Sequence, residues 1–413
     1  MPVVLDRPRF LALACLACIA YVGTSTTVAG AFAADRPLFL DTHVDIPSTY
    51  MVEPRFDSGT DTELQVDLGK MERGGLDAAF FIIYTGQGPR TAEGYAEAVA
   101  EADRKYSAIH KMVEIYPERI ALATTPDAVV ANRAAGRLSA MIGIENGYSL
   151  GRSLANVDRA FERGARYLGL THFGHNALCT SSGAMPELGD DPDDASGLTG
   201  FGRAVVQRAN RLGIMVDVSH SSDACVRDVL AFSRAPIIAS HSAARALADH
   251  PRNLTDDLLR GIAEKGGVIQ VVALDAYVKH DPARSEAIKA LEADVARAAG
   301  ADAFDHDVHG ELPDYVEGLK LIDLQYPPAT LDDYLDHVEH IAQVAGIDHV
   351  GLASDFDGGG GVVGWRDASE TQNVVEGLRR RGFSRKDVAK ITSGNLLRVW
   401  REVEAVAAEL RDQ

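Results

Sequence analysis

His43 and Asp45 close the apolar run 38–45 (LFLDTHVD), an imidazole and a carboxylate two positions apart. Side chains of a strand alternate faces, so this pair and Asp41 project to one side and can reach one ion from one rim. Taken alone, the pair is first a buried histidine with an acidic partner; the metal reading turns on whether other strands end similarly. They do: Glu145 closes 140–145 (AMIGIE), His172 closes 165–172 (ARYLGLTH), His220 closes 214–220 (IMVDVSH), His241 closes 236–241 (PIIASH) and Asp355 closes 349–355 (HVGLASD). Imidazoles and carboxylates without thiolates suit zinc and, less specifically, manganese, iron or cobalt. His43, Asp45, Glu145, His220 and His241 are too many for one tetrahedral catalytic zinc with an open position. They suit two ions, with Glu145 as the shared carboxylate and a water between them.

Such residues meet only if the strands that carry them run side by side and end on one face. Two further apolar runs complete a set of eight, 76–84 (LDAAFFIIY) and 267–273 (GVIQVVA). Helices separate most of them. Tyr95, Val99, Ala102, Tyr106, Ile109 and Val113 form a three- and four-residue stripe that Pro117 closes, and further helices are predicted over 154–163, 201–212 (stopped by Gly213) and 223–232. Thr255 is expected to cap a helix carrying Asp256 and Asp257 in its first turn and ending at Gly266, and Thr330 with Asp333 to open the last long crossover, ended by Gly346. Strands alternating with helices imply parallel pairing with right-handed crossovers, and eight such units close into a (β/α)8 TIM barrel with insertions in its βα loops. All strands of that barrel aim their carboxyl ends at one face. Residues 120–124 are a ninth, peripheral strand candidate. The acid-rich stretch 275–328 is too long for an ordinary connection, and such segments serve as a lid, an oligomer contact (leaving a homodimer open) or a mobile loop. His306, Asp307 and His309 within it, and Asp190, Asp191, Asp193 and Asp194 within 181–200, are read as solvated acidic loops.

The ordered succession of motifs resembles the membrane or renal dipeptidases, zinc dipeptidases of the metal-dependent hydrolase barrel superfamily. It runs from Asp41-Thr42-His43-Val44-Asp45 through Gly143-Ile144-Glu145-Asn146-Gly147, Leu170-Thr171-His172, Asp217-Val218-Ser219-His220, Ser240-His241-Ser242, Arg252-Asn253-Leu254-Thr255 and Ser354-Asp355-Phe356-Asp357-Gly358 to Ser393-Gly394-Asn395. The resemblance implies hydrolysis of the single peptide bond of dipeptides, with tolerance for a D-residue at the carboxyl end. It implies that His43 and Asp45 hold one zinc, His220 and His241 the other, and that Glu145 bridges them. It places His172 over the reacting carbonyl, Arg252 on the substrate's terminal carboxylate and Asp355 in proton transfer. Without it, Arg252 beside Asp249, Asp256 and Asp257 is equally a surface ion pair. Asn146 stands where many members have glycine, and the 275–328 insertion follows a strand that usually helps line the substrate pocket, so the specificity is this chain's own. The rival reading is another binuclear barrel hydrolase, acting on a lactone, acylated amino acid or phosphoester.

The formal charge of −19 argues against nucleic acid or an anionic membrane as a partner, and 46% hydrophobic residues with 38 glycines over 413 positions allow one large barrel. Arg7 and Arg9 precede the apolar run 10–22, followed by Ala-x-Ala at Ala29/Ala31 and Ala31/Ala33, the pattern of a signal peptide over residues 1–34. The mature domain is then 35–413, periplasmic or secreted, with an uncleaved membrane anchor as the alternative. It keeps only Cys179 and Cys225, compatible with one bridge or two thiols.

Overall fold

The computed structural model describes residues 36–413 apart from 302, 305 and 311 and the side chains of 306 and 307. The segment read as a signal peptide, 1–34, lies outside the described residues. In chain order the strands are β1 (Leu40–Val44), β2 (Ala78–Tyr84), β3 (Ile120–Leu122), β4 (Leu138–Glu145), β5 (Ala165–Gly169), β6 (Met215–Asp217), β7 (Ile237–Ser242), β8 (Val268–Val272) and β9 (Val350–Ala353). Every pairing is parallel, in the spatial order β1, β2, β4, β5, β6, β7, β8, β9. Closure between the last strand and the first falls to residues just past β9: Asp355 N donates to His43 O at 3.1 Å and Asp45 N to Phe356 O at 2.9 Å. Eight strands thus form a nearly closed barrel with helices between them, the (β/α)8 arrangement. β3 pairs with the first part of β4, on the edge whose later part carries β5, so it stays outside as a ninth strand.

The helices are α1 (Leu68–Gly74), α2 (Ala92–Ile115), α3 (Pro126–Ala134), α4 (Leu154–Glu162), α5 (Gly200–Leu212), α6 (Asp223–Phe232), α7 (Asp256–Glu264), α8 (Asp275–Val278), α9 (Pro282–Ala298), α10 (His306–His309), α11 (Pro313–Gln325), α12 (Leu331–Ala345), α13 (Thr371–Arg380), α14 (Arg385–Ala389) and α15 (Asn395–Arg411). Thr330 and Asp333 form a reciprocal capping box at the start of α12, as their spacing predicts. Thr255 holds the cap position of α7, yet its hydroxyl donates to the Asp257 carboxylate instead of accepting from the helix backbone. The Asp257 carboxylate is a charged acceptor, so the Thr255 hydroxyl turns its hydrogen toward it.

Two insertions depart from expectation. Within 275–328 the chain is largely helical, because Asp281 caps α9 by accepting from Ala283 N and Arg284 N, and prolines occupy the first turns of α9 and α11. His309 is buried against Phe304, and no metal-type cluster includes it among the described residues. In 181–200, Asp191 and Asp193 are exposed, but Asp190 is buried; its Oδ2 accepts from His175 N at 2.7 Å and Met185 N at 2.9 Å, and Arg90 stands 3.2 Å from Oδ1. Cys179 and Cys225 are joined as a disulfide, tying this loop to α6.

The barrel interior sets the floor of the site. Trp400 from α15, Phe80 from β2, Tyr167 from β5 and His43 from β1 form a column of rings with centroid spacings of 5.9, 5.0 and 6.4 Å. Burying each aromatic contributes about 1.5–3 kcal/mol. Gly143 in β4 is required here, since a Cβ at that position would lie 2.2 Å from the Tyr167 ring.

Candidate metal centre

Seven of the sequence-predicted residues converge at the carboxyl ends of the strands, but only His43, Glu145 and His241 lie inside β1, β4 and β7. The strands carrying the others end earlier than their apolar runs suggest. Asp45 follows β1 directly, His172 and His220 each lie three residues beyond β5 and β6, and Asp355 lies two beyond β9. His220 and Asp355 have φ of 65° and 60°, a left-handed conformation uncommon for such residues, and so does Asn146 at 68°. At His220 and Asp355 this turn brings the side chain to Glu145 and His43, whereas the Asn146 amide holds loop backbone, donating to Thr85 O and accepting from Tyr148 N.

Glu145 is the hub. Its Oε1 lies 3.1 Å from His220 Nε2 and 3.3 Å from His241 Nε2, while its Oε2 lies 3.4 Å from His43 Nε2. His43 Nε2 is also 3.4 Å from Asp45 Oδ2 and 3.7 Å from Asp355 Oδ1. The ligand-type atoms group as His43, Asp45 and Glu145 on one side and Glu145, His220 and His241 on the other, with a third group of His43, His241 and Asp355. Gly358 gives this cluster its close packing, because a Cβ there would fall 2.3 Å from Asp45 Oδ2.

The hydrogen-bond network assigns the tautomers. Tyr167 Oη donates to Thr42 O at 3.1 Å and so accepts from His43 Nδ1 at 2.9 Å, which leaves the His43 Nε2 lone pair facing the carboxylates. Ser240 Oγ donates to Asp217 Oδ2 at 2.7 Å and accepts from His241 Nδ1 at 2.8 Å, which turns the His241 Nε2 lone pair the same way. His43 Nε2 has no hydrogen-bond partner, although it is buried. Lone pairs and carboxylate oxygens crowded at 3.0–3.4 Å repel one another unless a cation lies among them. The donor set fits divalent metal ions; His43 and His241 are each oriented by a neighbour on the far side of the ring, as such sites require, whereas His220 Nδ1 has no hydrogen-bond partner among the described residues.

Charge follows the same geometry. Burial alone would raise Glu145, but His43, His220 and His241 outweigh it and hold it well below the ordinary carboxylate range. Burial opposes protonation of His43, but Glu145 and Asp45 overcome it and hold that imidazole well above its usual value, so without a metal ion a proton fills the place of the Nε2 lone pair. Burial, with Arg252 adding to it, pushes His220 and His241 well down, so both imidazoles are neutral. Asp355 is raised to about 8 by burial, with repulsion from Asp45 and Glu145 opposing the pull of His43.

His172 stands over the cluster, its ring 4.2 Å from that of His220 and 4.8 Å from that of Tyr84. Burial holds it below its usual value, that is, neutral at pH 7. Arg252 is not a surface ion pair: it is 3% exposed, its Nη1 donates to Ser242 Oγ at 2.8 Å and its Nη2 to His241 O. Its Nε is buried without a partner. A guanidinium has five N–H donors, so the fork retains unused ones beside the metal cluster. His175 and His250 hold loop backbone: His175 Nδ1 accepts from Ser181 N and His250 Nδ1 from Arg252 N.

Three residues with structural roles in the centre escaped the sequence reading. Tyr167, Asp217 and Ser240 orient the histidines from behind. The available signal was Tyr167 within an otherwise buried strand, where a hydroxyl must find a partner.

Comparison with known proteins agrees with this geometry. A model of the membrane dipeptidase family (peptidase family M19) matches residues 31–413. Dipeptidase aclJ of Aspergillus oryzae is 31% identical over 353 residues, 84% of this chain and 72% of that protein. Dipeptidase tcpJ of Claviceps purpurea is 30% identical over 366 residues, 87% and 74% of the two chains. Among solved structures, the probable dipeptidase PvdM from Pseudomonas aeruginosa superposes with a TM-score of 0.79 at 32% identity, covering 92% of this chain and 98% of that one.

Proposed function

The chain belongs to the membrane dipeptidase family and is a metal-dependent dipeptidase, and from that premise we propose that it uses two zinc ions, bridged by Glu145, to cleave dipeptides including those with a C-terminal D-residue. The observation that carries this reading is the division of five ligand-type residues into two triads that share one carboxylate, beside a buried arginine with unused donors. His43 and Asp45 would hold one ion and His220 and His241 the other. When bound, such ions polarise the scissile carbonyl and lower the pKa of water towards about 7.

The protein's own groups supply the rest. Arg252 receives the terminal carboxylate of the substrate on its Nε–H and a free Nη–H, in the planar geometry that suits a bidentate pair. That grip is blind to the configuration of the adjoining carbon, consistent with acceptance of a D-residue. His172 donates an N–H to the oxygen that becomes negative as water attacks the carbonyl carbon. Asp355, ionised when cations in the cluster offset the burial that otherwise keeps it protonated, accepts the proton that the attacking water loses and returns it to the amine nitrogen as the C–N bond breaks. Its Oδ1 lies 3.7 Å from His43 Nε2, the atom that also faces Asp45 and Glu145.

We also propose that the enzyme works outside the cytoplasm, in the periplasm or secreted. The leader pattern of residues 1–34 and the Cys179–Cys225 disulfide support this, since such bonds persist in oxidising compartments. Among the described residues, no helix is long and apolar enough to cross a membrane.

Steady-state kinetics of Arg252→Ala test the substrate assignment. Loss of a buried charge partner should raise KM for dipeptides roughly 30-fold or more, with a far smaller change in kcat. An unchanged KM would transfer the assignment to a hydrolase of lactones, acylated amino acids or phosphoesters.

A further inference from the structure

The acidic insertion holds a buried arginine that does not touch the metal cluster. Arg284, in α9, is 8% exposed although it sits in a surface excursion. Its Nε donates to Asp275 Oδ2 at 2.7 Å, and its Nη1 to Asp323 Oδ1 at 2.9 Å and to Tyr326 O at 2.7 Å. One guanidinium therefore ties together α8, the end of α11 and the return of the chain to the barrel. The other Asp275 oxygen accepts from Ala329 N, completing the clamp.

Asp275 begins α8, the short helix that carries Tyr277. The Tyr277 ring faces the Arg252 guanidinium at 5.5 Å and packs 4.9 Å from the His250 ring. The backbone of α8 is fixed toward the same place: Asn253, next to Arg252, donates to Tyr277 O at 2.8 Å, and His337 bonds Val278 O at 2.9 Å. Among the described residues Arg252 has no carboxylate partner, so its orientation depends on Ser242, on His241 O and on that aromatic face. A side chain as flexible as arginine loses aim when one of three supports goes.

We propose that Arg284 is a positioning residue for dipeptide hydrolysis: through Asp275 it holds Tyr277 against Arg252, and the insertion thereby sets the affinity for the substrate's free carboxylate. This rests on the reading of Arg252 as the carboxylate grip. It gives the 275–328 segment a role as a buttress behind the substrate site, without requiring it to move.

The test uses the metal-loaded full enzyme and one L,L-dipeptide, with KM, kcat and metal content measured for Arg284→Ala, Arg284→Lys, Tyr277→Leu and the Arg284→Ala/Tyr277→Leu double variant. Loss of a cation–π support predicts a KM about fivefold to tenfold higher in Arg284→Ala, with kcat and bound metal near wild type. Arg284→Lys, which keeps the charge toward Asp275, should recover part of that rise. In the Tyr277→Leu background, Arg284→Ala should add nothing, because its effect passes through the ring. A wild-type KM in Arg284→Ala, or changes that multiply in the double variant, overturns the proposal. Should Arg284→Ala fail to fold, Arg284→Lys and Asp323→Asn read the same clamp through partial losses, and a wild-type KM in both is equally fatal. Arg252→Ala separates the two levels: a raised KM there with none in the Arg284 variants defeats only this inference, whereas no rise in Arg252→Ala defeats the carboxylate grip beneath it.

Discussion

Glu145 is the residue on which both halves of the metal cluster depend, because each of its oxygens faces a different histidine set. Glu145→Gln keeps the shape and removes the shared charge, so both ions should be held more weakly. Metal analysis after dialysis against a mild chelator should find well under two equivalents; two tightly retained zinc ions would refute the bridge. Gly143 supports the same point from below. The Cβ of Gly143→Ala would meet Tyr167, whose hydroxyl orients His43, so this variant should lose metal preferentially from the His43 and Asp45 side. Titration with a colorimetric chelator, showing one weak and one unaltered site, is the check. The ligands were legible in the sequence because each is a chemically distinctive residue at the end of an apolar run. Tyr167 and Asp217 were not, because their value lies in hydrogen bonds to residues on other strands, and Ser240, though next to His241, is set in its role by Asp217 on the adjoining strand; residue type alone does not show which hydroxyl lies behind which imidazole.

At the level of elements, periodicity located the helices well and strand ends poorly. The runs ending in His172, His220 and Asp355 read as continuous strands, whereas the ladder stops two or three residues earlier. A left-handed residue costs of order 1–3 kcal/mol and leaves no mark on an apolar pattern, so His220 and Asp355 look like strand from sequence. Helix starts show the converse. Asp281 before Pro282 is a cap signal, but the length and acidity of 275–328 obscured it. The cap of α1 carries a prediction of its own. Buried Asp67 accepts from Lys70 N at 2.8 Å, Thr62 N at 3.1 Å and the Lys70 ammonium at 2.8 Å. Burial opposes its ionisation, but these bonds outweigh it and hold its pKa below the usual value. Asp67→Asn should therefore lower the unfolding free energy by about 1–3 kcal/mol at pH 7, losing the cap charge and leaving Lys70 without its ion pair. A depressed carboxylate stabilises only while it is ionised. The deficit should be complete above the unfolded pKa near 4 and shrink as pH falls through the lower folded value. Urea titrations of both proteins between pH 7 and pH 3 measure it; a deficit constant across that range would show that the charge contributes nothing.

For the whole molecule, the alternation of eight apolar runs with helices implied the barrel, since parallel strands need crossovers and eight units close. What the alternation did not contain was the seam, where loop residues 355 and 356 pair with the end of β1 in place of a full β9–β1 ladder. That seam lies among the metal-cluster residues, so closing the barrel and building the site are one event. Elsewhere the barrel mouth depends on long loops, and the largest of these not held by helices is fastened by the Cys179–Cys225 bond, 46 residues apart. In the chain-entropy account, a cross-link of that span stabilises by roughly 4 kcal/mol, acting chiefly on the unfolded chain. The Cys179→Ala/Cys225→Ala variant should accordingly unfold at a lower urea concentration. Its metal content and KM should stay near wild type, because neither sulfur belongs to the cluster and the loop backbone keeps the bonds that Leu178 N and Cys179 N donate to Asn176 Oδ1. If metal is lost at the same time as stability, the bridge would instead be holding His172 and His220 in place, and loop and site would have to be treated as one cooperative unit.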